Sequence, residues 1–454
     1  MDIEIVSTQC IKPRCPTPQH LKTHKLSLLD QFMPQQHIPM LLFYSTDQSH
    51  EANNNDTHQR MKQLKESLSG VLNHFYPLAG RIKDKLSIDC NDEGVHYVEA
   101  KTRHSLVGFS NQTNFSSSIH NKLLPREPTW ELKEANKGYV AMIQVTCFAC
   151  GGIVIGALVS HMVADGTATS YFLNSWASFS SSKEYEIPSF SAPNYFPQNE
   201  KCPNVMTLCG QFLNKGRPAM SRFLFDAEAI SKLKAKGSSL SVQSPTRVEV
   251  VSSLICKCAA SAFKANSGLE LEELERPTLI ANTINMRRRA SPTFPKSSMG
   301  NFVWQTTALM EVIDQFPEIV VKFRELVTNV DSEFVKSLEG EEGFVRSSQV
   351  FTQMVEKASS VAALKSGVNY IHFTSWCNLG LYDVDFGWGK PTWVCGITDV
   401  GDNFFFNLVL LMDTPSGNGI EAWIFLKEGD MTILQQDKEL LAFAALDPNP
   451  YACM

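Results

Sequence analysis

Residues 138–166, GYVAMIQVTCFACGGIVIGALVSHMVADG, decide the fold class of this chain. The stretch from Gly138 to Ser160 carries no charge, and its 23 residues would be long enough for a membrane-spanning helix. β-branched residues, however, lie on both sides of the central CGG at 150–152, and a glycine pair between two such segments is a turn signal. We therefore predict two buried strands joined by a tight turn, followed by a helix over 166–180.

The second of these strands brings His161 to its carboxyl end, and Asp165 follows before the helix begins. Side chains at strand ends of open sheets reach a crevice. A neutral imidazole placed there can take a proton from an alcohol near pH 7, because its reference pKa is about 6.5. The alternative is a core histidine that only makes hydrogen bonds. A metal site is disfavoured, because no second His or carboxylate cluster lies nearby in the sequence.

The rest of the chain divides into two α+β halves. With 454 residues, 43% of them apolar, the chain exceeds the usual size of a single core. A stretch rich in Ser, Pro and Asn separates the halves and lacks periodicity, which is typical of a linker. We predict an N-terminal domain over 1–180, a crossover linker over 181–217 and a C-terminal domain over 218–454.

Hydrophobic periodicity predicts the main elements inside these halves. The predicted helices cover 59–75, the residues that follow a cap at Thr246, and 315–337. The predicted strands cover 83–90, 95–101, 221–226, 276–284 and parts of 391–427.

Charge and cysteine content limit the possible partners. The net charge is −6, so the sequence shows no electrostatic signature of a nucleic-acid or anionic-membrane partner. The 12 cysteines are scattered, as expected of reduced thiols, and the single CxxC run at 147–150 is interpreted as structural. The first residues lack the basic start and apolar run of a secretory signal. We therefore expect a cytoplasmic protein that acts on small molecules.

A second informative motif, YDVDFGWGKP, lies at 382–391. On physical grounds it is a tight turn with buried aromatic residues and Asp385 at its mouth. Together, the HxxxDG run at 161–166 and this DFGWG run resemble the BAHD family of plant acyltransferases, which move an acyl group from coenzyme A thioesters to alcohols or amines. Further similar stretches are PTPQHLKTHKLSLLDQ at 16–31, HFYPLAGRI at 74–82, SIDCNDEGV at 87–95, MGN at 299–301, FTSWCNLGLYDVDFGWGKP at 373–391 and MDTPSGNGIEAW at 412–423.

The resemblance implies an α/β (α+β) fold of two similar-sized, chloramphenicol-acetyltransferase-like domains. Each would hold a mixed sheet flanked by helices, with a channel at the domain interface. His161 would lie midway along that channel as the general base. Donor and acceptor enter from opposite faces in this family, which implies direct transfer without an acyl-enzyme.

The resemblance also assigns supporting roles. Asp165 would pair with an arginine, most simply Arg287, with its neighbours Arg288 and Arg289 as alternatives. Asp385 would be either a second proton acceptor or an anchor of its turn. Gly387 and Trp388 would support that turn, with Trp388 lining the channel or binding the oxyanion as a further option.

The implied co-substrate is acetyl-CoA, with no permanently bound cofactor and no metal. Its phosphates would contact Ser253 and Lys257 on one helix, together with Gly300 and Asn301 in the MGN turn. For Lys257, a solvated surface role is the alternative.

The sequence of these motifs is most similar to that of alkaloid-acetylating members of the family, so the expected acceptor is an alkaloid hydroxyl. Members that acylate shikimate or quinate carry an Arg where this chain has Asn378, and a neutral amide offers no partner for an anionic acceptor. Alternatives are a longer or aromatic acyl donor, a terpenoid, phenolic or amine acceptor, and a non-catalytic member that acts as a binding protein. A monomer is expected.

Overall fold

The computed structural model describes residues 2–45, 54–112, 120–125, 138–203, 210–267, 276–311, 314–364, 367–396 and 404–450. The strands in these ranges are β1 Glu4–Ile11, β2 Thr23–Lys25, β3 His37–Tyr44, β4 Arg81–Ile82, β5 Ser87–Asp89, β6 Val95–Thr102, β7 Ala141–Phe148, β8 Ile153–Ser160, β9 Asn214–Lys215, β10 Ala219–Phe225, β11 Thr278–Asn285, β12 Val303–Met310, β13 Asn369–Ser375, β14 Trp393–Cys395, β15 Phe404–Phe405, β16 Leu408–Asp413, β17 Ile420–Leu426 and β18 Ala445–Leu446. The helices are α1 Leu28–Gln31, α2 Asn54–Val71, α3 Leu106–Gln112, α4 Gly166–Ser180, α5 Ala192–Tyr195, α6 Ala227–Gly237, α7 Arg247–Asn266, α8 Phe316–Thr328, α9 Ser332–Ser337, α10 Gly343–Leu364, α11 Glu428–Leu434 and α12 Lys438–Leu441.

The first domain is built on a six-stranded mixed sheet with the order β1-β6-β7-β8-β3-β14. β7 and β8 form the predicted antiparallel pair, and Gly151 in their turn has a φ of +80°, which favours glycine. Every residue of β8 is buried, so this uncharged stretch is the centre of a core. No helix in the described ranges is long and apolar enough to cross a bilayer.

The second domain contains a seven-stranded mixed sheet with the order β12-β11-β13-β16-β17-β10-β18. Its long helix α7 begins as predicted after Thr246. The Thr246 side chain accepts a hydrogen bond from Glu249 N at 3.2 Å, and the Glu249 carboxylate accepts one from Thr246 N at 2.7 Å. This reciprocal capping box satisfies two of the free N–H groups at the helix start.

One segment of the predicted C-terminal domain packs on the other domain. β14 pairs antiparallel with β3, which adds it to the first sheet. Phe386 and Trp393 are fully buried in the first core, and Phe386 packs edge-to-face on Trp176 with ring centroids 4.9 Å apart. The aromatic side chains of this segment pack in the first core, so the DFGWG turn lies on the N-terminal domain although its residues belong to 218–454.

Three further differences concern helices and the linker. The predicted helix over 315–337 is two helices, because Asp331 stops the first and caps the second by accepting a hydrogen bond from Phe334 N at 2.8 Å. Helix α10 was not predicted. The linker is not featureless, because it contains α5 and β9, while its residues 204–209 lie outside the described ranges.

Candidate active site

A cavity of about 290 Å³ lies between the two domains. One wall comes from residues 32–39 and from 161–167, and the other comes from β11, β12, β13 and β16. Its lining includes the aromatic side chains of Phe32, Trp304, Tyr370, Trp376, Phe405, Phe406 and Phe425. Its lining within the described residues contains no Lys or Arg. The cavity therefore fits an uncharged, bulky molecule better than an anion.

His161 lies at this cavity, at the first position after β8. Its backbone N–H donates to the carbonyl of Gln36 at 2.8 Å, which extends the pairing of β3 with β8 by one step. The rigid centre of the first sheet thus fixes the backbone that carries the imidazole.

The side chain of Asn301 orients the imidazole from the opposite domain. Asn301 Nδ2 donates to the carbonyl of His161 at 2.7 Å, and Asn301 Oδ1 lies 3.1 Å from His161 Nδ1. An amide oxygen can only accept a hydrogen bond, so Nδ1 must carry the proton. His161 Nε2 is then the free base.

The surroundings keep His161 neutral. Burial lowers the pKa of His161 below its ordinary value of 6.5, while its own backbone, the Asp165 charge and the Asn301 hydrogen bond oppose this shift. An imidazole that stays unprotonated near pH 7 is suited to accept a proton.

Asp165 holds the loop that follows His161. Its Oδ1 accepts a hydrogen bond from Ala168 N at 2.8 Å and caps α4. Its Oδ2 accepts one from Arg287 Nη1 at 2.6 Å and one from Phe302 N at 3.0 Å. With both oxygens occupied, Asp165 is a structural link between the domains rather than a base, although it borders the cavity.

Arg287 is the arginine that the structure places against Asp165. Its side chain is 2% exposed, and Nη2 donates to the carbonyl oxygens of Ser298 at 2.9 Å and Gly300 at 3.2 Å. The guanidinium therefore ties the loop before β12 to the loop after β8. Arg289, one of the alternatives, instead donates to the carbonyl of Val327 at 2.7 Å.

Asp385 lies in the DFGWG turn and does not border the cavity. Its Oδ1 accepts hydrogen bonds from Gly387 N at 2.8 Å and Gly389 N at 3.0 Å, and Lys183 Nζ lies 3.4 Å from Oδ2. Partial burial opposes ionisation, but these donors together hold the pKa of Asp385 below its ordinary value. Gly387 has a φ of +102°, which other residues adopt only with strain. The geometry is that of a turn anchor.

Trp388 is also away from the cavity, contrary to the option that it lines the channel. Its ring stacks on Phe386 with centroids 5.4 Å apart, and Arg60 Cζ lies 5.6 Å from its centroid. The indoles that do border the cavity are those of Trp304 and Trp376, and neither was predicted from the sequence. A Cβ on Gly396 would overlap the ring of Trp376, so position 396 needs glycine.

A polar pair on the C-terminal wall was missed as well. His372 Nε2 lies 2.8 Å from Thr283 Oγ1, and both side chains border the cavity. Burial lowers the pKa of His372 to about 4, so this second imidazole is neutral. Alternation along β11 and β13 could have marked both positions, but only the fold brings them to one wall.

The predicted coenzyme A contacts are not gathered at the cavity. Ser253 is fully buried in α7, and its hydroxyl donates to the carbonyl of Glu249 at 2.7 Å, which argues against a ligand contact. Lys257 pairs with Glu439 at 2.7 Å, and its contact with coenzyme A stays a prediction.

The MGN turn makes its hydrogen bonds within the protein. Asn301 is 0% exposed and its amide is used by the hydrogen bonds to His161 and Asp30. Gly300 is buried with a φ of +115°, and its carbonyl accepts from Arg287. The turn therefore holds the loop that carries His161, and its contact with coenzyme A stays a prediction.

Asn378 does not border the cavity. It has a φ of +63°, and its Oδ1 accepts a hydrogen bond from Arg247 Nη2 at 3.1 Å. The described residues contain no group of three or more His, Cys, Asp or Glu side chains placed to hold a metal ion.

Known proteins are similar to this chain over nearly its whole length. The model of the Transferase family matches residues 1–441. Epi-neemfruitin B 7-O-acetyltransferase of Melia azedarach and limonoid 7-O-acetyltransferase of Citrus sinensis are each 44% identical, over 99% of this chain and 100% of the relative. Stemmadenine O-acetyltransferase of Catharanthus roseus is 36% identical, over 96% of this chain and 96% of the relative.

The crystal structure of vinorine synthase, a protein of Rauvolfia serpentina, superposes with a TM-score of 0.77 at 32% identity. The superposition covers 97% of this chain and 98% of that one, which confirms the predicted two-domain fold. The chain belongs to the BAHD family and is an acyltransferase.

Proposed function

We propose that this acyltransferase moves an acetyl group from acetyl-CoA to a hydroxyl of a neutral, polycyclic specialised metabolite, with His161 as the general base. The observation that carries the proposal is the 3.1 Å contact between His161 Nδ1 and Asn301 Oδ1, which leaves Nε2 free to take a proton. Members of the family use acyl-CoA as co-substrate.

The proton and the acyl group move in two steps. His161 Nε2 takes the proton of the acceptor hydroxyl while its oxygen attacks the thioester carbonyl carbon. The tetrahedral oxyanion then collapses, the carbon–sulfur bond breaks, and the imidazolium returns the proton to the departing sulfur. A thiol with a pKa of about 8.5 is a good leaving group. Binding both substrates in one cavity supplies orientation in place of a covalent intermediate.

The walls of the cavity favour a neutral acceptor. Asp165 is the carboxylate at its lining, and both of its oxygens are already engaged. The His372–Thr283 pair offers hydrogen bonds but no charge. A terpenoid alcohol with several oxygen atoms matches this chemistry, and the acceptor class of the relatives that are 44% identical agrees with it.

An alkaloid, the acceptor expected from the sequence, is the second candidate. The observation that favours it is the aromatic lining, since a protonated amine can be bound over the faces of rings such as those of Trp304 and Trp376.

The test is turnover by purified protein with acetyl-CoA and a panel of terpenoid, alkaloid and phenolic alcohols. Acetylated product should form fastest with a neutral terpenoid alcohol, and mass spectrometry identifies it. Competition among acetyl-, benzoyl- and coumaroyl-CoA tests the donor. Thiol release no faster than in buffer with every acceptor would contradict the proposal and favour a binding protein.

The pKa of His161 should determine the acid limb of the pH profile of kcat/KM. Because burial lowers its pKa below 6.5, kcat/KM should be constant from about pH 7 to 8 and decline only below pH 6.5. Below the pKa, each pH unit should cost about tenfold, because the protonated imidazole cannot act as a base. Chromatographic assay of the product over this range measures it, with circular dichroism to verify folding. A limb centred well above 6.5 would contradict a buried base.

Asp385 should contribute to stability more than to chemistry. Asp385→Ala removes an acceptor from two backbone N–H groups and should lower the free energy of unfolding by roughly 1–3 kcal/mol. Its kcat per folded enzyme should stay within about tenfold, a smaller loss than that of a general base. Urea unfolding and initial rates measure the two effects. Asp383→Ala, on the exposed neighbour that pairs with Lys390, is the matched control. A much larger fall in kcat at unchanged stability would make Asp385 a participant in proton transfer.

A further inference from the structure

Asp30 is a buried carboxylate in the stretch 16–31, to which no role has been assigned so far. It lies in α1 of the N-terminal domain and is 1% exposed. Its Oδ2 accepts hydrogen bonds from Ser27 N at 2.8 Å and Ser27 Oγ at 2.7 Å, which completes the cap of α1. These contacts alone would make Asp30 a helix-capping residue.

The other carboxylate oxygen has a different partner. Asp30 Oδ1 accepts hydrogen bonds from Asn301 N and from Asn301 Nδ2, both at 2.8 Å. Asn301 lies 271 positions along the chain, in the C-terminal domain. A carboxylate that serves only as a local cap does not need two donors from another domain.

The direction of the Asn301 amide follows from its neighbours. The nitrogen faces the Asp30 carboxylate and the carbonyl of His161, which are both acceptors. The oxygen must then face His161 Nδ1. A flipped amide would place its oxygen against both acceptors and turn its NH₂ group toward Nδ1. That arrangement would favour the tautomer whose Nε2 carries the proton and cannot act as a base.

We infer that Asp30 is a positioning residue, which acts through Asn301 to hold His161 in the tautomer with a free Nε2. The inference rests on the proposed role of His161 as the base. The three side chains form a chain across the domain interface, with Asp30 and His161 in the first domain and Asn301 in the second. This arrangement makes the base competent only when both domains are docked.

The experiment compares Asp30→Asn with Ser27→Ala. Both variants weaken the cap of α1, but only Asp30→Asn removes the charged acceptor from Asn301. We expect Asp30→Asn to lower kcat by about 10–100-fold, the cost of removing outer partners of metal-binding histidines applied to this histidine, with both KM values unchanged. Ser27→Ala should keep kcat within about twofold, because the Asn301 contacts stay. Rates are measured well below both melting transitions.

Asp30→Glu serves as a second test in case Asp30→Asn does not fold. Double variants with Asn301→Ala test whether Asp30 acts through Asn301. Asp30→Glu keeps the charge and the capping box, for which Glu is a common residue, but displaces the carboxylate from Asn301, so its kcat should also fall. Combining Asn301→Ala with Asp30→Asn or Asp30→Glu should cost no more than Asn301→Ala alone.

Three outcomes would overturn the inference. They are a wild-type kcat in Asp30→Asn or Asp30→Glu, an equal loss in Ser27→Ala, and losses that add in the double variant. The failure of the proposed function is distinguishable, because in that case His161→Ala itself would keep its activity.

Discussion

His161→Ala should lower kcat by about 10²–10⁴-fold, the usual contribution of a general base. An unassisted alcohol is a weak nucleophile. Of the two other histidines among the described residues of the lining, His372 has a pKa that burial lowers to about 4, and His37 Nε2 lies 2.8 Å from the carbonyl oxygen of Tyr139. The fold should survive, because the strand that carries His161 is held by backbone pairing. Initial rates of acetyl transfer and thermal melting of the variant measure both effects.

His161→Gln is the sharper variant, and His372→Gln is its matched control. Glutamine can keep a hydrogen bond to Asn301 but cannot take a proton at neutral pH, so His161→Gln should be as impaired as His161→Ala. His372→Gln changes another histidine of the cavity lining and should retain kcat, with a change confined to the KM of the acceptor. If His161→Gln acetylates its acceptor at full speed, the base is another group.

The parts of the fold that were predicted correctly depend on local patterns. The hairpin of β7 and β8, the start of α4 and the Thr246 cap each follow from residues within a few positions of one another. Helix α10 escaped prediction. Its sequence, GFVRSSQVFTQMVEKASSVAAL, mixes apolar residues with Ser, Thr and Val, which have modest helix propensity.

The placement of β14 marks another limit of sequence patterns. Periodicity shows that residues 393–395 suit a strand, but it contains no information on which sheet accepts that strand. Tertiary packing decides, because Trp393 lies 4.8 Å from Phe43 between ring centroids and is 1% exposed. Such contacts join residues 350 positions apart, beyond the range of any window.

In the candidate site, too, local motifs were found from the sequence and contacts between distant residues were not. His161 and Asp165 share one short motif, whereas the partner of Asp165 came from a family resemblance. The role of Asn301 was missed because it depends on a hydrogen bond that spans 140 positions. Asp30 was not selected, because the sequence around it predicts only a turn before a strand, whereas the structure has a capping box of Ser27 and Asp30 at the start of α1. Its second oxygen acquires a function only after the domains dock.

The second large effect is expected from the buried pair of Asp165 and Arg287. Both side chains are at most 3% exposed and are joined at 2.6 Å. Removing one partner leaves the other charge buried without compensation, so Asp165→Ala and Arg287→Met should each lower the free energy of unfolding by about 3–5 kcal/mol. Activity should fall with stability, because the pair fixes the loops that carry His161 and Asn301.

The double variant separates this charge effect from a simple loss of contacts. Asp165→Ala combined with Arg287→Met removes both charges, so its loss of stability should be clearly smaller than the sum of the single losses. Urea unfolding of the four proteins measures the coupling. Glu228→Ala, which breaks the exposed helical pair with Lys232, should leave the unfolding midpoint unchanged. Additive losses in the cycle would mean that each side chain stabilises its own loop, and that the domains are held together elsewhere.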